Sequence, residues 1–155
     1  MKNLILNFFV ASILFLNSCG KEDIDNVKPQ IILNNNSEFP APCDTLHKGT
    51  EIDFNVEFSD NIELGSYSID VHHNFDQHSH STSVENCDLD TKKTAKNPWT
   101  YIKSYQIPVG LKEFSAKGKI SVPSDIDPGD YHFLYKLTDK SGWQTIYGFS
   151  IKIID

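Results

Sequence analysis

Arginine is absent from this 155-residue chain, and all 14 of its basic residues are lysines. Arginine supplies the planar, bidentate fork that recognition of phosphate groups and base edges favours. The chain is also acidic, with a formal net charge of −7 at pH 7. Together these properties disfavour binding to nucleic acid, and they disfavour attachment to anionic lipid through a basic patch.

Signatures of an enzyme are missing as well. The chain contains no G-x-S-x-G segment, and nothing in it marks an oxyanion hole. Metal-assisted hydrolysis would need an open site within a pocket, and neither is visible in the sequence. We therefore expect a protein without catalytic activity.

The chain also has little continuous apolar sequence. One run, residues 4–16, follows Lys2 and is too short and interrupted for a membrane span, but it is typical of a secretory signal. The run ends in Leu16-Asn17-Ser18-Cys19, which resembles a bacterial lipobox. That resemblance implies cleavage before Cys19 and acylation of Cys19. The alternative is an ordinary signal peptide with an incidental cysteine.

The four residues Gly20-Lys21-Glu22-Asp23 resemble the surface-export signal of Bacteroidota lipoproteins. This resemblance implies a lipid anchor in the outer membrane with the protein displayed at the cell surface. The stretch 20–28 has almost no apolar content, so it is predicted to be a flexible tether. The predicted organisation is a signal peptide (1–18), a lipidated Cys19 with its acidic tether (19–28) and one domain (29–155).

Cysteine is scarce, and two cysteines remain once Cys19 is assigned to lipid. Cys43 and Cys87 form an even pair in an exported chain, which predicts a disulfide. This bond would fasten the segment between them at both ends. The alternative is that the two thiolates bind a metal ion.

From Pro29 onward the hydrophobic period is two, as in half-buried strands. In the clearest case Ile52, Phe54, Val56 and Phe58 alternate with polar residues. No segment has a sustained helical period. Strands are predicted at 30–33, 51–58, 67–72, 99–109, 114–122, 131–138 and 147–153. About seven strands in one domain predict an all-β fold, an immunoglobulin-like β-sandwich.

Two local segments favour this fold. Pro128-Gly129-Asp130-Tyr131 resembles the entry to the penultimate strand of such domains, where the tyrosine bonds back to the backbone. The segment from Thr138 to Trp143 resembles the last hairpin of bacterial immunoglobulin-like modules.

Histidine is concentrated in one place, because four of the six histidines lie within residues 72–80. Neutral imidazole is the commonest side-chain ligand for zinc and copper, and three or four donors must converge on the ion. The segment therefore predicts a zinc or copper site. The spacing matches no sharp metal motif, and an ordinary polar loop, or a site for another ligand, is the alternative.

Two sets of ligands are possible. A local set is His73, His78 and His80, which can meet if residues 74–77 form a turn, with Asp76 as a ligand or as the partner of a ring nitrogen. A second set spans the outer face of the sheet and comprises Asp70, His72 and His132. His72 and His73 point to opposite faces, so one site is not expected to use both.

A calcium site is a weaker possibility. Asp125, Asp127 and Asp130 have a spacing that could hold calcium. Aspartates also flank turns because they form local hydrogen bonds, and this explanation is preferred here. We therefore do not expect calcium as a cofactor.

The lipobox, the charged tether, Cys43-Asp44-Thr45 and the segments 58–61 and 69–80 together resemble a family of small Bacteroidota lipoproteins catalogued as a domain of unknown function. The resemblance covers most of the chain after Cys19. It implies an immunoglobulin-like fold and a place in the cell envelope, with no established activity. Asp44-Thr45-Leu46 also resembles the Bacteroidota O-glycosylation sequon, which would place a glycan on Thr45.

These observations predict a surface-anchored lipoprotein that binds zinc or copper through residues 72–80. A role in capturing the metal, or in passing it to an outer-membrane transporter or other envelope protein, is a hypothesis. The alternative is an adhesin-like module that recognises glycan or protein without a metal. That alternative predicts exposed aromatic side chains, with Trp99, Tyr101 and Trp143 as candidates, although core packing explains such residues equally well.

Overall fold

The computed structural model describes residues 24–32, 40–79 and 87–155 of the chain. These residues form eight β-strands and no helix, so none of their segments is a helix able to cross a membrane. Cys19, His80 and the predicted signal peptide, for which predictions were made above, lie outside the described residues. The strands are β1 (Gln30–Ile32), β2 (Thr45–His47), β3 (Glu51–Ser59), β4 (Leu64–His73), β5 (Tyr101–Gln106), β6 (Glu113–Ser121), β7 (Gly129–Asp139) and β8 (Gln144–Ile154).

The strands form two sheets that pack as a sandwich. The smaller sheet has the order β1-β3-β6, and the larger has the order β2-β8-β7-β4-β5. All pairs are antiparallel except β2 with β8. β1 and β2 are consecutive in the chain but belong to different sheets. The predicted all-β sandwich is confirmed.

The strand β2 was not predicted from the sequence, and the predicted length of β5 was too great. β2 has only three residues. It becomes a strand through parallel pairing of Leu46 with Ile153, a partner more than 100 residues away in the chain. β5 is shorter than the predicted 99–109, and Trp99 and Ile107, which lie beyond its two ends, are buried.

The alternation of apolar and polar residues along each strand decides which side chains form the core. In β3, all four predicted apolar positions from Ile52 to Phe58 are buried. The same holds in β7, where Tyr131, Phe133, Tyr135 and Leu137 face the opposing sheet and are nearly inaccessible. Removal of this apolar surface from water is the main favourable contribution to folding.

The entry to β7 is held by a tyrosine corner. The Tyr131 hydroxyl donates to the backbone oxygen of Asp127 over 2.6 Å and accepts from the backbone N–H of Trp99 over 3.2 Å. Tyr131 is completely buried, and its burial raises the pKa of its hydroxyl group above the ordinary value. The bond to Asp127 is the one that the local sequence predicted, and the bond from Trp99 also joins this corner to the segment before β5.

The N-terminal segment lies against the sandwich before β1 begins. The indole N–H of Trp143 donates to the backbone oxygen of Asp25, and the side-chain amide of Asn61 donates to its carboxylate. The last residues of the predicted tether are therefore in contact with the domain.

Cys43 and Cys87 are joined by a disulfide, as predicted. Their Cα atoms are 5.4 Å apart, and their sequence separation is 44 residues. The backbone N–H of Cys43 donates to the backbone oxygen of Ser150 on β8 over 2.8 Å. The bond therefore ties residues 43 and 87 together beside the outer face of the larger sheet.

Replacing both cysteines, Cys43→Ala with Cys87→Ala, should lower the free energy of unfolding by about 4 kcal/mol, because the unfolded chain then regains the entropy of a long open loop. Denaturant unfolding of the purified chain, with and without the two substitutions, measures this difference. Cys19→Ser is the control and should leave the midpoint unchanged. A loss below about 1 kcal/mol would contradict a structural role for the bond.

Candidate functional site

The outer face of the larger sheet carries a row of polar residues. In the register of β4, β7 and β8, His72 lies opposite His132, and His132 lies opposite Ser150. Asp70, two residues before His72, shares this outer face because side chains alternate along a strand. Pairing of β4 with β7 thus places the two histidines side by side, as the predicted sheet-face set required.

A turn after β4 folds the chain back over this row. The backbone N–H of Gln77 donates to the backbone oxygen of Asn74 over 3.0 Å, and Gln77 adopts a left-handed conformation with φ of 56°. Phe75 anchors the turn, since it is 3% exposed and packs edge-on against Tyr131 at 5.3 Å. Gly129 leaves room for the Phe75 ring, because a Cβ at that position would lie 3.1 Å from it.

The turn carries His78 onto the two sheet histidines. The ring centroid of His78 lies 5.6 Å from that of His72, with the rings nearly parallel, and 4.9 Å from that of His132. The centroids of His72 and His132 are 5.5 Å apart. We refer to His72, His78 and His132 as the histidine cluster.

A carboxylate holds each of two rings in the cluster. Nδ1 of His72 donates to Asp70 over 2.8 Å, and Nδ1 of His78 donates to Asp76 over 2.6 Å. Because a carboxylate accepts the hydrogen bond, the proton lies on Nδ1, and Nε2 carries the lone pair in the neutral ring. This arrangement is typical of histidines that bind metals through the opposite nitrogen.

The contact with His78 also affects Asp76. The hydrogen bond from His78 lowers the pKa of the Asp76 carboxyl below its ordinary value, with smaller contributions that include the charge of the ring. Asp76 is mostly exposed and His78 is about one third exposed, so solvent weakens this interaction. The pair therefore orients His78 more than it stabilises the fold.

His132 lies beneath the other two rings. It is 3% exposed, although its position on β7 faces outward, because the segment after β4 covers it. Its Nε2 lies 3.2 Å from the backbone oxygen of His78, which makes Nε2 the protonated nitrogen in this arrangement. Any lone pair that His132 offers to a ligand is then on Nδ1.

The predicted local set is not assembled as expected. His73 lies on the inner side of β4, where its ring packs against Phe75 at 5.0 Å and its Nδ1 is buried without a hydrogen-bond partner. It is separated from His78 because neighbouring residues of a strand face opposite ways. His80 lies outside the described residues. The structure instead combines His78 from the local set with His72 and His132 from the sheet face.

The histidine cluster is a set of touching rings and not a finished coordination shell. Among the described residues, only Asp25, Asp60 and Asp139 form a group of three or more possible ligands with all their donor atoms within 4.8 Å of one another. For the histidine cluster, therefore, no choice of one nitrogen from each ring places all three atoms within 4.8 Å of one another.

The aspartates considered for calcium do not meet. Asp127 accepts hydrogen bonds from the backbone N–H groups of Lys96 and Asn97, and Asp130 accepts one from Asp90. The hydrogen bonds from the backbone N–H groups of Lys96 and Asn97 hold the pKa of Asp127 below its ordinary value. Asp125 is exposed. The carboxylates of Asp127 and Asp130 fasten the segment before β5 to the entry of β7. Their partners are 30 to 40 residues away in the chain, so these bonds are not the local turn bonds that the sequence favoured.

Most of the candidate aromatic residues pack into the structure. Trp99 is 4% exposed, and the hydroxyl group of Tyr101 hydrogen bonds to that of Tyr105 over 3.0 Å. Trp143 is 41% exposed and lies at the β7–β8 turn. Of the three residues that a recognition module would use, one is substantially accessible.

The chain belongs to the family DUF4625, a domain of unknown function, which matches residues 17–154. This membership agrees with the resemblance to a family catalogued as having no known function. A search of curated proteins gave no significant match.

Two solved structures are distantly similar. One is a family 123 glycoside hydrolase from Clostridium perfringens, with 16% identity and a TM-score of 0.42 over 72% of this chain and 23% of that one. The other is Spo0M, a sporulation control protein from Bacillus subtilis, with 12% identity and a TM-score of 0.43 over 83% of this chain and 49% of that one. The chain thus spans less than half of each of these two proteins.

The contact between Asp76 and His78 can be tested by titration. Because the folded-state pKa of Asp76 is lowered, the contact is fully formed above the ordinary carboxyl pKa and is lost as pH falls through the lowered value. In His78→Ala the pKa of Asp76 should rise toward its ordinary value, as measured by NMR of the side-chain carboxyl. Asp127, held by backbone N–H groups, should titrate unchanged. Identical Asp76 titrations in both proteins would contradict the contact.

Proposed function

We propose that the outer face of the larger sheet binds a divalent transition-metal ion, zinc or copper, through the histidine cluster. The observation that carries the proposal is the pairing of His72 with Asp70 and of His78 with Asp76 through Nδ1. Two carboxylates that both fix a histidine tautomer, on rings whose centroids are 5.6 Å apart, prepare two Nε2 atoms as metal ligands.

Binding of one ion by all three histidines requires a modest rearrangement of the histidine cluster. Imidazole nitrogens bind zinc at about 2.0–2.1 Å, so the donors must approach more closely than the described positions allow. His78 is well placed to move, since it follows a turn and is not part of a strand. His72 and His132 belong to paired strands and provide a fixed base. His80, which the sequence placed in the local set of ligands, is close to His78 in sequence and remains a predicted ligand.

The donor chemistry selects the class of metal. Imidazole suits zinc and copper, whereas magnesium and calcium prefer oxygen ligands. The cysteines are joined in a disulfide, so no thiolate from Cys43 or Cys87 is offered. Zinc and copper are therefore the metals to test.

Isothermal titration of zinc and copper(II) into the purified chain tests the proposal. We expect one site with a Kd below about 1 μM. Asp76→Asn should weaken binding by about 10- to 100-fold, because the tautomer of His78 is no longer fixed by a charged acceptor. His78→Ala should weaken it more, since a direct ligand is lost.

His47→Ala is the matched control, because His47 lies on β2 and bonds to the backbone oxygen of Asp155, away from the histidine cluster. Its affinity should equal that of the unchanged chain. The affinity of His80→Ala shows whether His80 is a ligand: weaker binding means that it is one, and unchanged binding means that it is not. A Kd weaker than about 100 μM, or one unaffected by His78→Ala, would reduce the cluster to a polar surface.

The sequence supports an extension of this proposal to the cell envelope. A lipid on Cys19 would anchor the protein in the outer membrane, and the charged tether would display it at the cell surface. From there the protein would capture metal or pass it to an outer-membrane transporter. Differential binding of metal-loaded and metal-free protein to an envelope partner would support such a transfer.

Lipidation has its own test. When the chain is expressed in a bacterium that matures lipoproteins, it should incorporate labelled palmitate, and Cys19→Ser should abolish the label. The double substitution Cys43→Ser with Cys87→Ser should retain it, because those thiols lie outside the lipobox. Incorporation that persists in Cys19→Ser would contradict the anchor at that residue.

The alternative function, a recognition module for glycan or protein without metal dependence, has less support. It predicted a set of exposed aromatic residues, and Trp143 is the candidate that is substantially exposed. Glycan-array binding that survives a chelator would favour this alternative over the metal site.

A further inference from the structure

Three aspartates meet at the end of β7 that is far from His132. Asp25 precedes β1, Asp60 follows β3, and Asp139 is the last residue of β7. One carboxylate oxygen of each lies within 4.8 Å of one from both other residues. The three come from separate parts of the chain, so the tertiary fold alone brings them together.

One oxygen of each carboxylate is fixed by backbone N–H groups. The donors are Val27 for Asp25, Ile62 and Glu63 for Asp60, and Trp143 for Asp139, at 2.8 to 3.1 Å. These bonds leave little freedom for the carboxylates to turn away from one another. The cluster is therefore built into the fold and is not a chance meeting of mobile side chains.

The other oxygen of each carboxylate is buried and has no hydrogen-bond partner: Oδ2 of Asp25, Oδ1 of Asp60 and Oδ2 of Asp139. Asp139 is only 3% exposed. A buried carboxylate oxygen without a partner is costly, and proteins compensate such groups with a hydrogen bond, an opposite charge or a metal ion. Three of them in one place indicate a ligand with positive charge.

No lysine in the described ranges 24–32, 40–79 and 87–155 supplies that charge. Among the described residues, none of the ion pairs includes any of the three carboxylates. Lys112 donates to the backbone oxygen of Asn61, and Lys140 lies 3.9 Å from Glu63. The backbone N–H of Val27, with help from the side chains of Asn61 and Ser141, lowers the pKa of Asp25, which favours its charged form.

We propose that Asp25, Asp60 and Asp139 bind a calcium ion, which sequence alone did not lead us to expect. The donors are all carboxylate oxygens, which calcium prefers, whereas zinc favours nitrogen and sulfur. Calcium also accepts irregular geometry, with water or backbone oxygen completing its six to eight ligands. This site is independent of the histidine cluster and requires a different class of metal.

The position of the site gives the ion a structural role. Asp25 belongs to the segment that leads into the domain, and its backbone oxygen accepts a hydrogen bond from the indole of Trp143. Asp60 and Asp139 belong to the sandwich itself. A bound calcium ion therefore fastens the N-terminal segment to this end of the domain, and its loss releases the segment.

Thermal unfolding of the purified chain with calcium chloride or with chelator tests the proposal. With the millimolar affinity usual for extracellular calcium sites, 10 mM calcium should raise the Tm by about 5 °C. The fluorescence of Trp143, which contacts both Asp25 and Asp139, should change over the same titration. Magnesium at equal concentration and choline chloride at equal ionic strength should produce smaller shifts.

Two variants remove a ligand while keeping the hydrogen-bonding shape. Asp139→Asn and Asp25→Asn should abolish the calcium-dependent rise, and in chelator each should be at least as stable as the unchanged chain, because repulsion is relieved. Asp25 lies outside the sandwich, so its variant folds whatever the fate of Asp139→Asn. Asp125→Asn, an exposed aspartate elsewhere, should respond as the unchanged chain does.

The proposal is overturned if calcium does not raise the Tm. It is equally overturned if the rise persists in both Asp25→Asn and Asp139→Asn. An equal rise with magnesium or with choline chloride would overturn the assignment to calcium, because screening of the repelling carboxylates would then explain the effect.

Discussion

The register between β4 and β7 is the constraint on which both faces of the larger sheet depend. Val71 lies opposite Phe133, and His72 lies opposite His132. A slip of one residue would turn the buried apolar side chains toward water and the histidines toward the core. The apolar surface that the inner face buries thus fixes the positions of the polar residues on the outer face. The histidine cluster depends on this register because two of its members are strand residues.

The segment between β4 and β5 completes the outer face. It is held at several points: Phe75 packs on Tyr131, Asp130 accepts from the backbone N–H of Asp90, and Cys87 is bonded to Cys43. Its described residues, 74–79 and 87–100, have no regular secondary structure and are therefore fixed by tertiary contacts. This explains why His132 is buried on a face that strand alternation directs toward solvent.

Much of the fold could be predicted, because it depends on local patterns. Alternation identified the long strands and placed His72 and His73 on opposite faces, and the local sequence at Tyr131 predicted its bond to the backbone. The short strand β2 could not be found in this way, since its pairing partner on β8 is distant in sequence.

The candidate sites were harder to predict than the strands. Sequence placed His78 with His73, whereas the turn at Asn74 to Gln77 directs it to His72 and His132 instead. The direction of a chain after a strand depends on packing, which spacing does not reveal. The three aspartates at the far end of β7 share no local pattern, and only the fold makes them neighbours. Clustering in sequence was a guide to the histidines and gave no sign of the aspartates.

X-ray absorption at the metal edge of the zinc-loaded chain tests the central claim most directly. We expect a shell that includes three imidazole nitrogens at about 2.0 Å, with the multiple scattering that imidazole rings produce. His78→Ala should remove one of these rings from the shell while the fold remains intact. A shell composed only of oxygen, or one unchanged by His78→Ala, would contradict a metal site at the histidine cluster.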